Sequence, residues 1–255
     1  NHHKSVLTER KIWFTNPLEF NDPFDCRIPW RYDLLSEQEF FDRILQLGLD
    51  NEKQMTNAQI VEEARRITNN SPLRDSKKVN EASQEHNRQF VSSYGVFSLA
   101  GVLDNHLLWS HYANGHKGFC IEFDREKLKN MCLTFFAEKK YFVMGYNVDY
   151  ANDYPILIPK NGFENDENLW IKTLTTKSIH WSYEKEYRYL LIGARERTVP
   201  LEIDTISGIY LGCSISESDM TEIMNVLRSD YPEVPVYQST KKNNTFQLEF
   251  HEILE

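Results

Sequence analysis

The chain has 255 residues, a formal net charge of −9 and 40% hydrophobic residues. This length and apolar content suffice for one sizeable core, or for one core with a helical insert. The acidic balance argues against broad, salt-driven nucleic-acid binding. No apolar run approaches the roughly 18–20 residues that a membrane-spanning helix needs.

The termini and cysteines indicate a reduced, cytoplasmic protein. The first four residues do not form a signal peptide. Residues 6–11 are typical of the end of a helix, so we expect the natural chain to extend upstream of Asn1. The scattered cysteines show no metal-ligand spacing and no disulfide framework is expected at this size. They are Cys26, Cys120, Cys132 and Cys213.

The first elements in chain order are a strand over residues 12–15 and a polar turn. Asn21, Asp22 and Pro23 favour a turn, because Asn and Asp bond to their own backbone and proline fixes φ. Asp25 and Arg27 add two more polar groups between apolar neighbours. The segment is therefore either a turn alone or part of a binding site.

Residues 36–93 predict a helical insert. A capping-box pattern predicts a helix from Ser36 through Gly48, and a cap at Thr56 or Asn57 predicts a second helix over 56–67. Side chains at helical spacing predict a third helix over 76–92. His86 lies on the third helix as a surface or helix-packing residue.

The middle of the chain predicts alternating strands and short helices. A strand over residues 94–101 contains Ser98, and Asn105 caps a helix through Tyr112. Residues 118–123 alternate like a strand, and a helix follows over 125–131.

The last third of the chain predicts several short strands and two helices. We expect two strands that turn at Gly145, and an edge strand between Pro155 and Pro159. Further elements are a helix over 165–176 and strands over 189–192, 198–203, 206–212, 234–237 and 246–253, with a helix over 216–227 before the last two. The whole chain, 1–255, predicts a single α+β domain with a mixed, mostly antiparallel sheet.

A pair of acidic residues before a buried strand is the strongest candidate for chemistry. Glu184 and Glu186 are two apart, so in an extended backbone both carboxylates face the same way. Carboxylates can stabilise a positive charge that develops on a ribose carbon. The sequence contains no nucleophile elbow, P-loop or GxGxxG motif, which argues against serine hydrolases, P-loop NTPases and Rossmann enzymes.

Two other interpretations stay open at this point. The acids and Arg188 could form structural ion pairs in a non-catalytic sensor or interaction module. Alternatively, Asp22, Asp25, Glu122 and Glu184 could bind Mg²⁺ in a metal-dependent nuclease or phosphoesterase.

Three motifs resemble an uncharacterised bacterial family, a domain of unknown function met among defence and mobile-element genes. They are Asn-Asp-Pro-Phe-Asp at 21–25, Leu-Trp-Ser-His-Tyr-Ala-x-x-His-Lys-Gly-x-Cys-Ile-Glu-Phe-Asp at 108–124, and Trp-Ser-Tyr-Glu-x-Glu-Tyr-Arg at 181–188. A more remote resemblance is to ADP-ribosyltransferases, which carry a Glu-x-Glu or Gln-x-Glu pair just before a late strand.

The second resemblance implies an NAD-consuming enzyme, such as a toxin or an anti-phage defence effector. By that resemblance Glu186 would hold the nicotinamide ribose and Glu184 would orient the acceptor. The family's Arg or His on the opening strand has no match that we can place here, and we expect it upstream of Asn1. The expected substrate-binding residues are Ser98, Trp109, His111, Tyr112, Arg188, Asn21 and Asp22.

We expect NAD as the substrate and no metal. The expected partners are a small-molecule nucleotide, a protein or nucleic-acid acceptor and a regulatory protein, without a membrane.

Overall fold

The structure, a computed structural model, describes residues 2–51, 54–70, 75–159, 169–193 and 197–253. The described helices are α1 (His2–Thr8), α2 (Glu37–Asn51), α3 (Asn57–Asn69), α4 (Ser76–Ser92), α5 (His106–Tyr112), α6 (Arg125–Glu138), α7 (Leu169–Thr175) and α8 (Glu217–Asp230). The described strands are β1 (Lys11–Trp13), β2 (Tyr94–Leu99), β3 (Phe119–Phe123), β4 (Phe142–Asn147), β5 (Asp149–Ala151), β6 (Thr176–Ser178), β7 (Tyr187–Ile192), β8 (Thr198–Pro200), β9 (Ile206–Leu211), β10 (Val236–Lys241) and β11 (Leu248–Glu252). The protein is therefore α+β, as predicted.

The chain forms two compact units. Unit 1 contains Asn1–Thr15, Gly95–Asn147 and His180–Glu255, and unit 2 contains Asn16–Tyr94 and Val148–Ile179. The three helices predicted between residues 36 and 93 are α2, α3 and α4, which all belong to unit 2. Unit 2 also includes segments on both sides of the predicted insert.

Unit 1 contains most of the described strands. Its four-stranded sheet has the order β11-β10-β9-β3, and a three-stranded sheet has the order β2-β7-β4. Strands β9 and β10 are parallel, whereas β3–β9, β10–β11, β4–β7 and the separate pair β1–β8 are antiparallel. The predicted mixed, mostly antiparallel arrangement is confirmed.

One large apolar core holds unit 1 together. Side chains from α6, α8 and the inner faces of the sheets meet there, including Phe14, Phe136 and Leu191, all with no exposed surface. Phe14 and Phe136 pack edge to face, with ring centroids 5.3 Å apart. This core fixes one face of β7 and leaves the other face for the polar residues described below.

Unit 2 combines α2, α3, α4 and α7 with a parallel pair of short strands, β5 and β6. Helix α2 continues to Asn51, so Gly48 does not end it as predicted. The missing side chain of Gly48 instead leaves room for Ile60 of α3, since an added Cβ would lie 2.6 Å from the Ile60 side chain. A small core forms around Ile28, Trp30 and Leu157.

Several predicted boundaries were wrong. Gly145 is inside the continuous strand β4, and no turn occurs there, because the Tyr187 hydroxyl occupies the space of its missing side chain. Helix α6 continues to Glu138, beyond the predicted residue 131, since Met131, Cys132 and Phe136 are buried on its inner face. The expected strand over 156–158 is only an isolated bridge between Leu157 and Trp30.

Other boundaries moved by a few residues. The predicted strand over 198–203 ends at Pro200, and a short 3-10 helix begins at Ile203. Strand β10 begins at Val236 and continues to Lys241. The first part of the predicted helix over 165–176 lies outside the described residues, and α7 covers the rest as far as Thr175.

Candidate functional site

Strand β7 positions a buried arginine beside a buried glutamate. It is the middle strand of the β2-β7-β4 sheet. Tyr189 and Leu191 belong to the main core of unit 1, so Arg188 faces the opposite side. The Arg188 Nε lies 2.7 Å from Glu186 Oε1, and its Nη2 lies 3.1 Å from Oε2. This two-bond pairing holds the Glu186 carboxylate in a fixed orientation.

The backbone before β7 is not extended, which corrects the predicted geometry of the acid pair. Glu184 ends a 3-10 helix that begins at Ile179, and Lys185 has a φ of +46°. The two carboxylates therefore do not lie on one face of a strand by simple alternation. Both are nevertheless buried, and each has a polar partner that compensates for the loss of water: Glu186 pairs with Arg188, and Glu184 accepts a hydrogen bond from helix α5.

That hydrogen bond joins two of the sequence motifs. The Tyr112 hydroxyl donates to Glu184 Oε1 across 2.9 Å. Tyr112 is 43% exposed, whereas Glu184 is buried. Burial and the nearby Glu184 carboxylate raise the pKa of Tyr112, so its phenol stays protonated and donates. A tyrosine with part of its surface exposed thus contacts a buried carboxylate.

Further contacts hold α5 against the 3-10 helix. Asn105 caps α5 through the backbone N–H of Leu107 and donates its side-chain amide to the Tyr183 carbonyl at 3.4 Å. The His111 ring contacts the Trp181 ring, with centroids 5.9 Å apart. The exposed Tyr112 and His111 and the half-buried Trp181 therefore lie on the two elements that meet at Glu184.

Trp109 is directed into the protein. It is buried, its indole N–H donates to the Leu103 carbonyl at 2.7 Å, and its ring packs against His116 and Phe250. These contacts anchor α5, and through α5 they fix the position of Tyr112.

Ser98 is exposed on β2, the strand beside β7. Its neighbours Phe97 and Leu99 pack against the main core, so Ser98 points to the other face of the sheet. Arg188 points to that same face. Ser98 is thus a candidate for a polar substrate contact on this face.

Asn21 and Asp22 belong to unit 2, where they form the predicted turn. Asp22 accepts a hydrogen bond from the Phe24 backbone at 2.9 Å, and Asn21 is exposed. The buried carboxylate of this motif is Asp25, which forms an ion pair with Lys177 at 3.8 Å. The ion pair between Asp25 and Lys177 was not predicted, because only the presence of a lysine shortly before the motif at 181–188 pointed to it.

The described residues provide no clear metal site. Within the described ranges, no three side chains of His, Cys, Asp or Glu lie close enough together to hold a metal ion. Glu122 on β3, one of the acids considered as an Mg²⁺ ligand, accepts a hydrogen bond from Tyr210 at 3.0 Å. None of the described helices has the length and apolar character that crossing a membrane requires.

Gly101, in the loop between β2 and α5, packs directly against the backbone of Glu184 and Lys185. We expect Gly101→Ala to destabilise the protein by about 1–3 kcal/mol. Its N–H donates to the carbonyls of Glu184 and Lys185, both at 3.1 Å, and an added Cβ would lie 2.7 Å from the Lys185 carbonyl oxygen. Urea unfolding measures the change. The exposed neighbour Ala100 offers a control, since Ala100→Ser should stay within about 0.5 kcal/mol. Equal stability of Gly101→Ala and the unsubstituted protein would show that the loop is not held in this way.

Comparison with known proteins gives one family model that matches part of the chain. A family model described as Protein of unknown function (DUF2971) matches residues 108–189. The matched region begins in α5, ends in β7 and contains Tyr112, Glu184, Glu186 and Arg188. No curated protein and no solved structure gives a significant match.

Proposed function

We propose that unit 1 carries the active site of an NAD-consuming enzyme with ADP-ribosyltransferase-like chemistry. The observation that carries the proposal is the hydrogen bond from the exposed Tyr112 to the buried Glu184. It combines a carboxylate, which can stabilise positive charge on a ribose carbon, with an aromatic ring, which can stack on the flat nicotinamide.

The acting carboxylate in this proposal is Glu184. The resemblance assigned the ribose contact to Glu186, but the Glu186 carboxylate already pairs with Arg188 through both of its oxygens. Glu186 and Arg188 therefore act as positioning residues that fix the start of β7. Tyr112, His111 and Trp181 offer rings to the flat nicotinamide or to the acceptor.

The proposed reaction breaks the bond between C1′ of the ribose and the nicotinamide nitrogen. The nicotinamide leaves with the bonding electron pair, and the Glu184 carboxylate stabilises the positive charge that develops at C1′. An acceptor oxygen or nitrogen then bonds to C1′ and loses its proton to Glu184. With water as the acceptor, the same steps hydrolyse NAD.

The proposal includes a cytoplasmic location and a protein or nucleic-acid acceptor. All four cysteines are free thiols, which suits a reducing compartment that contains NAD. Consumption of NAD would suit a toxin or an anti-phage effector, and such an activity would need a regulatory partner to restrain it.

Release of nicotinamide from NAD tests the proposal. We expect turnover by the unsubstituted protein and a loss of about 10²–10³-fold in Glu184→Gln, because the charge that stabilises C1′ is removed. Chromatography with mass detection measures free nicotinamide, with and without a mixture of protein and nucleic-acid acceptors.

Glu122→Gln is the matched control for this assay. Glu122 lies in the same unit and also accepts a hydrogen bond from a tyrosine, Tyr210 at 3.0 Å, so the substitution makes an equal chemical change elsewhere. It should retain full activity. Absence of nicotinamide release by the unsubstituted protein, or equal activity of Glu184→Gln, would contradict the proposal.

A second candidate function is a non-catalytic sensor or interaction module. The fully buried pairing of Arg188 with Glu186 favours it, because such pairs also occur as internal supports. The two candidates differ in the role of Tyr112. In a module without catalysis, Tyr112→Phe would change stability alone, whereas in the enzyme it would reduce turnover of a protein that is still folded.

A further inference from the structure

The hairpin that joins β10 and β11 exposes a phenylalanine at its tip. Phe246 is 91% exposed, although the turn around it is well defined. The Lys242 N–H donates to the Gln247 carbonyl at 3.0 Å, and Asn244 has a φ of +62°, which asparagine tolerates better than most residues. A single exposed ring is ordinary on a protein surface, so its surroundings decide whether it belongs to a binding site.

A second exposed ring lies beside Phe246, at the start of α5. The centroids of the His106 and Phe246 rings are 6.5 Å apart, and His106 is exposed. Leu107, the next residue of α5, is 39% exposed. Trp109 of the same helix packs against Phe250 of β11, which holds α5 against the hairpin. Two neighbouring flat rings are therefore presented to solvent on a packed support.

Three exposed lysines lie at the same end of the sheet as these rings. Lys241 and Lys242 lead into the turn of the hairpin. Lys117 lies at this end too, because the Gly118 carbonyl accepts from the Gly212 N–H at 2.9 Å where β9 ends, and β10 runs parallel to β9. Within the described ranges, no carboxylate forms an ion pair with any of the three lysines. This end of an otherwise acidic chain is thus rich in uncompensated positive charge.

The acidic residues nearest along the chain do not cancel this charge. Glu249 faces the side of β11 opposite to Phe250, and its Oε2 lies 3.7 Å from His251 Nε2. Asp104, which is exposed just before α5, offsets at most one of the three charges. An anionic partner therefore complements this surface.

The rings and lysines together form the tip surface, which consists of His106, Lys117, Lys241, Lys242 and Phe246. We propose that the tip surface binds single-stranded nucleic acid. Lysine ammonium groups contact phosphates, and exposed rings stack on unpaired bases, which a duplex keeps covered. An anionic membrane fits less well, because the side chains at 243–245 are two amides and a hydroxyl, which would lose water on insertion.

Helix α5 connects the tip surface to the candidate site. His106 and Tyr112 are the first and last of its seven residues, about 9 Å apart along the helix axis. A strand bound at the tip surface is thus near Glu184 and suits the role of acceptor, and this last step alone rests on the proposed function.

Fluorescence anisotropy with labelled oligothymidylate and oligouridylate of about 16 nucleotides tests the binding. We expect at least one of them to bind with a Kd of about 1–100 μM, and the stronger ligand shows whether DNA or RNA is preferred. Between about 50 and 200 mM salt, log Kd should rise with log salt with a slope of about 2, because three lysines displace counterions. Absence of binding to both oligonucleotides would overturn the proposal.

Phe246→Ala isolates the contribution of stacking. It should weaken binding about 5- to 100-fold and leave the salt slope unchanged, because a base loses its aromatic contact and no charge is removed. Phe142→Ala is the matched control, since it makes the same change on β4, where the ring is 72% exposed. Equal Kd values for the two variants would show that Phe246 does not contact the strand.

The double variant Lys241→Gln, Lys242→Gln isolates the contribution of charge. It should reduce the salt slope by about 1. The matched control is Lys77→Gln, Lys78→Gln, an adjacent pair on α4 that is 85% and 68% exposed. Equal slopes for the two double variants would overturn the proposal.

Vesicles of phosphatidylserine and phosphatidylcholine test the alternative partner. Binding to these vesicles without binding to either oligonucleotide would overturn the proposal and assign the tip surface to a membrane. All these titrations are made without NAD. A protein that binds oligonucleotides but releases no nicotinamide would therefore support the tip surface and contradict the proposed function, and the reverse result would separate them equally.

Discussion

Replacing Arg188 by alanine is expected to destabilise the protein by about 3–5 kcal/mol, because it leaves the Glu186 carboxylate buried without its guanidinium partner. Arg188 has no exposed surface and lies in the middle strand of its sheet, so little water can reach the Glu186 carboxylate when the guanidinium is removed. Urea unfolding followed by circular dichroism and by tryptophan fluorescence measures the loss. The two signals also show whether both units unfold together.

The exposed pair Arg66–Glu63 provides the matched control. It has the same two-bond geometry, with distances of 2.7 and 2.5 Å, but its side chains are 65% and 40% exposed. Arg66→Ala should therefore cost less than about 1 kcal/mol. The double variant with methionine at both Glu186 and Arg188 should recover most of the stability lost by Arg188→Ala. A small effect of Arg188→Ala would mean that the Glu186 carboxylate is not held by this pairing.

Replacing Phe136 by alanine is expected to cost about 3–5 kcal/mol, through lost burial and the cavity left behind. Phe136 is fully buried on α6 and packs edge to face with both Phe14 and Phe135, at centroid distances of 5.3 and 5.2 Å. Urea unfolding of the whole chain measures the change.

Phe142→Ala makes the same chemical change on β4, where the ring is 72% exposed, and should stay within about 0.5 kcal/mol. Similar losses in Phe136→Ala and Phe142→Ala would contradict the assignment of Phe136 to the core.

Local signals predicted the starts of helices well. Asn105, Asp124 and Ser216 each accept a hydrogen bond from the first turn of the helix that the sequence assigned to them. These bonds involve neighbours in sequence, so short-range chemistry decides them. Helix ends were less predictable. Helix α6 continues beyond Met131, where Cys132 and Phe136 pack in a core formed by residues distant in sequence.

The errors at Gly145 and Glu184 have a tertiary cause. A glycine after three apolar residues is typical of a turn, but Gly145 accommodates the Tyr187 hydroxyl from the neighbouring strand. Alternation placed Glu184 in a strand, whereas hydrogen bonds from Gly101 to the Glu184 and Lys185 carbonyls hold a tighter backbone there. Neither partner can be identified from the residues beside Gly145 or Glu184.

The candidate site was predictable in its residue types and less so in its contacts. The sequence motifs identified Tyr112, Glu184, Glu186 and Arg188, which the structure joins into two adjacent pairs. Which acid pairs with which partner depends on the turn at Lys185 and could not be predicted from spacing.

The order of the segments along the chain has a consequence for synthesis on the ribosome. Unit 1 begins first but needs residues from both ends of the chain, since β1 pairs with β8 and β3 pairs with β9. All segments of unit 2 have been translated once residue 179 is made. The unit started second can therefore be completed first, while the nascent unit 1 still exposes apolar surface that a chaperone would recognise.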